Sequence, residues 1–158
     1  MKTADLCDHY KGALQVCAPM FRSFGGKRRF AGPITTVKVW EDNVLVRQAI
    51  ETAPEGSIII VDGGGSKRCA LLGDRLAAIA VSRGIAGMII HGCVRDTADL
   101  AQLDLGVLAL DSMPLKSKKE GKGERDLSVR FGGVIWEPGH WAAVDEDGIV
   151  LAPHPMEL

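Results

Sequence analysis

A single α/β domain organised on a mostly parallel sheet is predicted by three features of the sequence. From Gly32 to Leu110, β-branched apolar runs alternate with segments of helical period. The central runs, Ile58–Val61 of the Ser57–Val61 segment and Met88–Ile90, are continuously apolar, as strands covered on both faces are. The chain has 158 residues, 46% apolar and 25% charged, so residues 1–158 read as one domain with enough apolar material for a core.

Thr3 reads as the cap of a short helix ending near Tyr10. Ala18–Pro19–Met20 leads into a loop carrying Gly25–Gly26 and the basic triplet Lys27–Arg28–Arg29. Gly32–Val39 is rich in β-branched residues and reads as a strand. Glu41–Asp42–Asn43 offers caps for a helix over Val44–Thr52, with Val46, Ala49 and Ile50 on its apolar face. Pro54–Glu55–Gly56 ends that helix. Ser57–Val61 is the next strand, followed by the Asp62–Gly65 turn. Lys67–Leu71 is expected to cross the sheet edge.

A second helix runs from Asp74 to Arg83, with Leu76, Ile79 and Ala80 at the i, i+3, i+4 spacing of one buried stripe. Gly84 stops it. Met88–Ile90 is a strand, Thr97–Leu103 a helical turn and Val107–Leu110 another buried strand. Lys116–Asp126 is polar and glycine-punctuated and reads as a mobile, solvated loop. Leu127–Phe131, Val134–Trp136, Trp141–Val144 and Ile149–Leu151 are short strands separated by glycine turns, an antiparallel set that completes or faces the first sheet.

A net charge of −1 gives no electrostatic case for binding nucleic acid. The N-terminal stretch lacks an apolar signal region, and no run approaches the roughly 20 residues of a membrane helix. Cys7, Cys17, Cys69 and Cys93 form no C-x-x-C pair and no zinc spacing. They read as the reduced thiols of a cytoplasmic protein.

Asp62–Lys67 lacks the spacing of a phosphate loop, so a tight turn is the better reading. His9, His91, His140 and His154 are scattered, with no i, i+4 pair. His91, between a strand and Arg95, reads as a satisfied strand-end histidine before it reads as a base.

The chemistry concentrates in Gly73–Asp74 and Arg95–Asp96, which lie 22 positions apart. A ten-residue helix is about 15 Å long and a five-residue strand about 17 Å. A strand returning along the helix therefore brings the two pairs to one corner. Two carboxylates and a guanidinium then share a pocket with the free N–H groups of a helix start, which suits an anion and a metal ion together. Arg95 can grip a carboxylate bidentately. Asp96 is a hard oxygen ligand suited to Mg²⁺ or Mn²⁺, and Asp74 can hold the metal's waters. The alternative is a structural salt bridge between loop and helix start.

The segments Leu6–Tyr10 (LCDHY), Phe24–Lys38 (FGGKRRFAGPITTVK), Glu41–Asn43 (EDN), Val61–Asp74 (VDGGGSKRCALLGD), Val94–Asp96 (VRD) and Val129–Trp141 (VRFGGVIWEPGHW) carry a resemblance over nearly the whole chain. The chain resembles the family of regulator of ribonuclease E activity A (RraA). Its enzymatic relatives are the 4-hydroxy-4-methyl-2-oxoglutarate/4-carboxy-4-hydroxy-2-oxoadipate aldolases, which also decarboxylate oxaloacetate. The resemblance implies a swivelling β/β/α domain, like a phosphohistidine domain, assembled as a homotrimer with sites between subunits. It implies a lyase that releases pyruvate from a small 2-oxo dicarboxylate. Asp96 would carry a divalent cation, Mg²⁺ or Mn²⁺, largely through water. Arg95 would bind substrate and stabilise the enolate. The backbone amides of Gly73, Asp74, Arg75 and Leu76 would hold a substrate carboxylate, and Asp74 would orient a metal-bound water.

Longer aldolases of the family bring an acidic residue into the neighbour's site from a C-terminal extension. No such residue is identifiable in this chain. Regulator-type members, which bind ribonuclease E, need not keep both acidic signature positions. This chain keeps both, which favours the enzyme over the regulator. A phosphate-handling swivel domain ranks last, since no histidine sits in a phosphoacceptor motif. No nucleic-acid or membrane partner is expected.

Overall fold

The computed structural model describes residues 1–157. Its centre is a parallel ladder. Strand β3 (Phe30–Lys38) pairs with β4 (Ile58–Asp62), β4 with β6 (Gly87–Val94), and β6 with β7 (Gly106–Ser112). Ile58–Val61 and Met88–Ile90 are wholly buried, which is why these strands are apolar at every position. Antiparallel strands extend both edges. On one side β11 (Trp141–Asp145) pairs with β3, β12 (Gly148–Ala152) with β11, and β1 (Gln15–Val16) with β12. On the other, β2 (Arg22–Ser23) pairs with β7. The glycine-punctuated tail thus partly completes the main sheet. The hairpin of β9 (Val129–Phe131) and β10 (Val134–Trp136) is separate and packs across the sheet's other face.

Helices α2 (Val44–Thr52), α3 (Asp74–Ser82) and α4 (Thr97–Leu100) cover one face, burying Val46, Ile50, Ala77 and Leu100 against Val37, Ile59, Met88 and Ile90. The opposite face packs Ile58, Ile60 and Ile89 beneath Phe131 and the fully buried Trp136. The result is a hairpin layer, a sheet and a helix layer. Helix α1 (Thr3–Tyr10) seals a third cluster, where Leu6 meets Ala143, Val150 and Ala152. Among the described residues no helix is long and apolar enough to cross a membrane. All four cysteines are free, and burial pushes the Cys17 thiol up to about 11.

Four expectations change. Thr3 does not cap α1 but is its first residue. Its N–H and hydroxyl donate to Asp145 at 2.7 and 2.6 Å, tying the helix to β11. The buried positions of α3 are Ala77 and Ala80, with Leu76 and Ile79 half-buried at its flanks. Ala80 is buried as expected, and Ala77 takes the place expected of Leu76 and Ile79. Lys67–Leu71 is no plain crossing. Ala70–Leu72 forms strand β5, parallel to β6. The Lys116–Asp126 segment is tied down rather than mobile. Ser117 is buried, and Glu120, Gly121 and Lys122 donate their amides to the Asp42 carboxylate. Glu124–Arg125 (β8) then joins β3.

Helix α3 ends as its glycine predicts. Gly84, at φ +71°, donates to Val81 and Ile85 donates to Ala80, the paired bonds of a left-handed helix stop.

Candidate active site

Strand β6 offers one edge to two strands in succession. β4 uses it as far as His91, and β5 takes over at Cys93 and Val94. Leu72 therefore lies beside Val94, and the Arg95 N–H donates to the Leu72 carbonyl at 2.9 Å. The next residues of each chain segment, Gly73–Asp74 and Arg95–Asp96, meet at this point. Proximity of the two pairs follows from ladder pairing, a shorter route than packing of strand against helix.

Asp96 adopts the left-handed conformation, φ +57°, uncommon for a residue with a side chain. It occupies the cap position of α4 yet makes no side-chain cap there. Its Oδ2 instead accepts from the Asp74 N–H at 3.0 Å, capping α3 from across the site. The Asp74 amide, together with the positive charges of Arg95 and Arg75, holds the Asp96 carboxyl below its ordinary range. Gly73 lies between the pairs. A Cβ there would stand 2.7 Å from Asp96 Oδ2 and 3.4 Å from Arg95 Cγ and Nε. The Asp74 amide, expected to bind a substrate carboxylate along with those of Gly73, Arg75 and Leu76, is thus already taken by Asp96. Beyond it, the amides of Arg75 and Leu76 sit in the first turn of α3, where no intrahelical acceptor exists.

The structural salt bridge does not form. Among the described residues no carboxylate lies within ion-pair distance of Arg95, whose Nη1 donates to the Pro114 carbonyl at 3.4 Å. Arg95 lines a cleft of about 270 Å³ together with Asp96, Thr97, Ser112, Met113 and Pro114. Gly73, Asp74, Arg75 and Leu76 are not among the lining residues, so the pocket expected to hold both pairs takes in only Arg95–Asp96. Larger cavities, about 420 and 640 Å³, lie elsewhere and touch neither signature pair. Ser112, Met113 and Pro114 carried no sequence signal, because they enter the cleft only through the β6–β7 pairing.

Among the described residues no group of three or more His, Cys, Asp or Glu side chains converges to hold a metal. The donor set at this corner is Asp96, with Asp74 beside it. That set fits a hard cation that keeps most of its waters and not a cation that needs a full protein cage.

His91 takes no part. It stacks on Phe131 at 4.8 Å under the hairpin, and its buried Nδ1, 3.6 Å from Asp62 Oδ1, has no hydrogen-bond partner among the described residues, so it is not the satisfied strand-end histidine expected. The Asp62–Gly65 segment is the tight turn expected. The Gly64 N–H donates to Asp62 Oδ1, and a Cβ on Gly63 would meet Leu71 Cδ1 at 2.6 Å.

Residues 3–151 match the model of the RraA-like family, described as Aldolase/RraA. A protein of Alkalilimnicola ehrlichii with the provisional name 4-hydroxy-4-methyl-2-oxoglutarate aldolase is 57% identical, the match covering 98% of this chain and 96% of that one. A crystal structure from Geobacillus kaustophilus, described as an S-adenosylmethionine:2-dimethylmenaquinone methyltransferase, superposes with TM-score 0.97 at 59% identity, covering 98% and 96%. The structure of the RNA-processing inhibitor RraA from Thermus thermophilus superposes with TM-score 0.95 at 46% identity, covering 99% and 95%. Sequence and fold agree over nearly the full length of each relative, and the chain belongs to the RraA-like family.

Proposed function

We propose that this protein is a divalent-metal-dependent carbon–carbon lyase. It cleaves 2-oxo dicarboxylates of the 4-hydroxy-4-methyl-2-oxoglutarate type to pyruvate and decarboxylates oxaloacetate. One observation carries the reading: Arg95 lines the cleft without an ion-pair partner, beside a carboxylate anchored to a helix start. The aldolase name of relatives above half identity supports it.

A hard cation on Asp96 supplies Lewis-acid polarisation of the keto group when bound. The chain's own residues do the rest. The free amides of Arg75 and Leu76 bind a substrate carboxylate at the positive end of α3. Arg95 sits where negative charge grows on the keto oxygen and stabilises it electrostatically. In the aldol case a water oriented by Asp74 takes the hydroxyl proton. The C–C bond β to the keto carbon breaks, its electron pair becomes the enolate of pyruvate, and carbon protonation completes the product. In oxaloacetate decarboxylation carbon dioxide leaves and the same enolate forms, with no initial proton transfer. The subunits are proposed to assemble as a trimer.

The test is a coupled pyruvate-release assay with both substrates, with and without chelator. Arg95→Ala is expected to lower turnover about a hundredfold while leaving the fold intact. Release at the parent rate by Arg95→Ala would overturn the assignment.

The Thermus neighbour favours a second reading, a protein that restrains ribonuclease E. RNA cleavage by that nuclease at saturating protein decides it, since unimpeded cleavage removes the reading.

A further inference from the structure

The chain that leaves β7 is a strap running from the active site to the start of α2. Met113 donates its amide to the Val94 carbonyl. The Pro114 carbonyl accepts from Arg95 Nη1, and the next carbonyl, of Leu115, accepts from Ala70 of β5 at 2.8 Å. Lys118 donates its amide to the Glu41 carbonyl and accepts from the Asn43 amide. Lys119 Nζ donates to Asn43 Oδ1, while Asn43 Nδ2 donates to Leu71, two residues before Gly73. The strap then closes on one carboxylate. Asp42, 2% exposed, accepts on Oδ2 from Glu120, Gly121 and Lys122 at 2.9, 3.0 and 3.3 Å. Its Oδ1 accepts from Val44, the first residue of α2, at 3.1 Å.

We propose that Asp42 is a positioning residue for the active site, holding the 113–122 strap and, through the Pro114 carbonyl, the direction in which Arg95 points. The catalytic part rests on the lyase reading. An ionised carboxylate only accepts, and here it meets four donors. No neutral side chain of the same shape does this. An asparagine would turn an NH₂ group toward either Val44 or the three strap amides, leaving buried donors unpaired. With the clamp open, Pro114 is held only through the flanking Met113–Val94 and Leu115–Ala70 bonds, and its 3.4 Å contact with the guanidinium shifts with the loosened strap. Catalysis is steep in such placement, and about 1 Å of displacement can cost two orders of magnitude.

The experiment compares the parent with Asp42→Asn by amide hydrogen exchange and by the ¹⁵N signal of Arg95 Nε, both without substrate, and then by pyruvate release. Faster exchange at residues 115–122, a moved Arg95 signal and a kcat/KM lowered about tenfold are expected, with α3 and β6 still protected. A purely structural clamp would speed exchange and leave the Arg95 signal and kcat/KM where they were, and that result overturns the proposal. Should Asp42→Asn fail to fold, Gly121→Ala opens the same clamp from the strap side. Gly121 has φ +85°, where a side chain is strained, and a Cβ would meet nothing nearer than Val44 Cγ1 at 3.8 Å. It should move the Arg95 signal in the same sense by less, and a stationary signal beside faster strap exchange again overturns the proposal. If the parent releases no pyruvate, the lyase reading falls, while the exchange and Arg95 measurements still decide the coupling.

Discussion

Gly73 is required by its neighbours and not by its own backbone. Its φ of −131° is open to any residue, but a Cβ would press on Asp96 Oδ2 at 2.7 Å. Gly73→Ala should therefore drive the Asp96 carboxylate off the Asp74 amide. The expected loss is about 1 kcal/mol of stability, with pyruvate release reduced tenfold or more. Steady-state kinetics beside a urea melt checks this, and unchanged kinetics would remove Gly73 from the site. At this scale the spacing of Gly73–Asp74 and Arg95–Asp96 made the charged corner legible but not its cause, since the pairs meet through the β5–β6 ladder and not through a strand returning along the helix. The Arg95 contact to Pro114 was not legible. A backbone carbonyl accepts whatever side chain it carries, so nothing in the residue's identity announces it.

At the scale of elements, the helices were the most readable parts. Val44–Thr52 has a clear apolar face and bounded ends, and the helix forms over those residues. On α3 Ala80 was legible and Ala77 was not, because an alanine is weak in any hydropathy pattern. Strands β1, β2, β5 and β8 have two or three residues each, too few to display a period. They exist because a neighbouring edge offers them partners. The stop of α3 permits a sharp prediction. Gly84 is left-handed, and an added Cβ would meet Glu55 Cγ at 2.7 Å. Gly84→Ala should cost about 1–2 kcal/mol, lowering the urea midpoint without changing the slope of the transition. It should leave kcat/KM of the folded protein alone. A midpoint equal to the parent's would show that the turn tolerates a side chain.

For the molecule as a whole, three carboxylates tie separate parts together, and each lies below its ordinary pKa. At Asp42 burial pushes the pKa up, but four backbone amides more than offset it. At Asp145 burial also raises it, and the hydrogen bonds from Thr3 and the Asp147 amide outweigh that. At Asp96 the Asp74 amide leads the lowering. On acidification the unfolded chain takes up protons at these positions first. Their stabilisation is complete above the unfolded value of about 3.9 and is lost as pH falls through the lower folded values. Urea midpoints should thus hold through neutral pH and drop steeply below about pH 4. A profile that stays level into that range would deny these carboxylates their role. The α/β alternation made the parallel core legible in the sequence. The order in which the C-terminal strands extend it was not, since Trp141–Asp145 carries no mark that its partner is Phe30–Pro33.

The shared edge of β6 has a consequence for how relatives can diverge. Residues 63–69 bridge two strands that lean on the same neighbour, and they are pinned as they do so: Gly65 donates to the His91 carbonyl, and Ser66 and Arg68 donate to Glu41. Between Ile90 and Cys93, strand β6 holds one residue more than β7 opposite it, a bulge that sets the facing of everything after it. Removing that residue would turn the Arg95 guanidinium over to the opposite side of the sheet. Deletions should therefore be missing from the stretch between His91 and Arg95 in relatives that keep the corner.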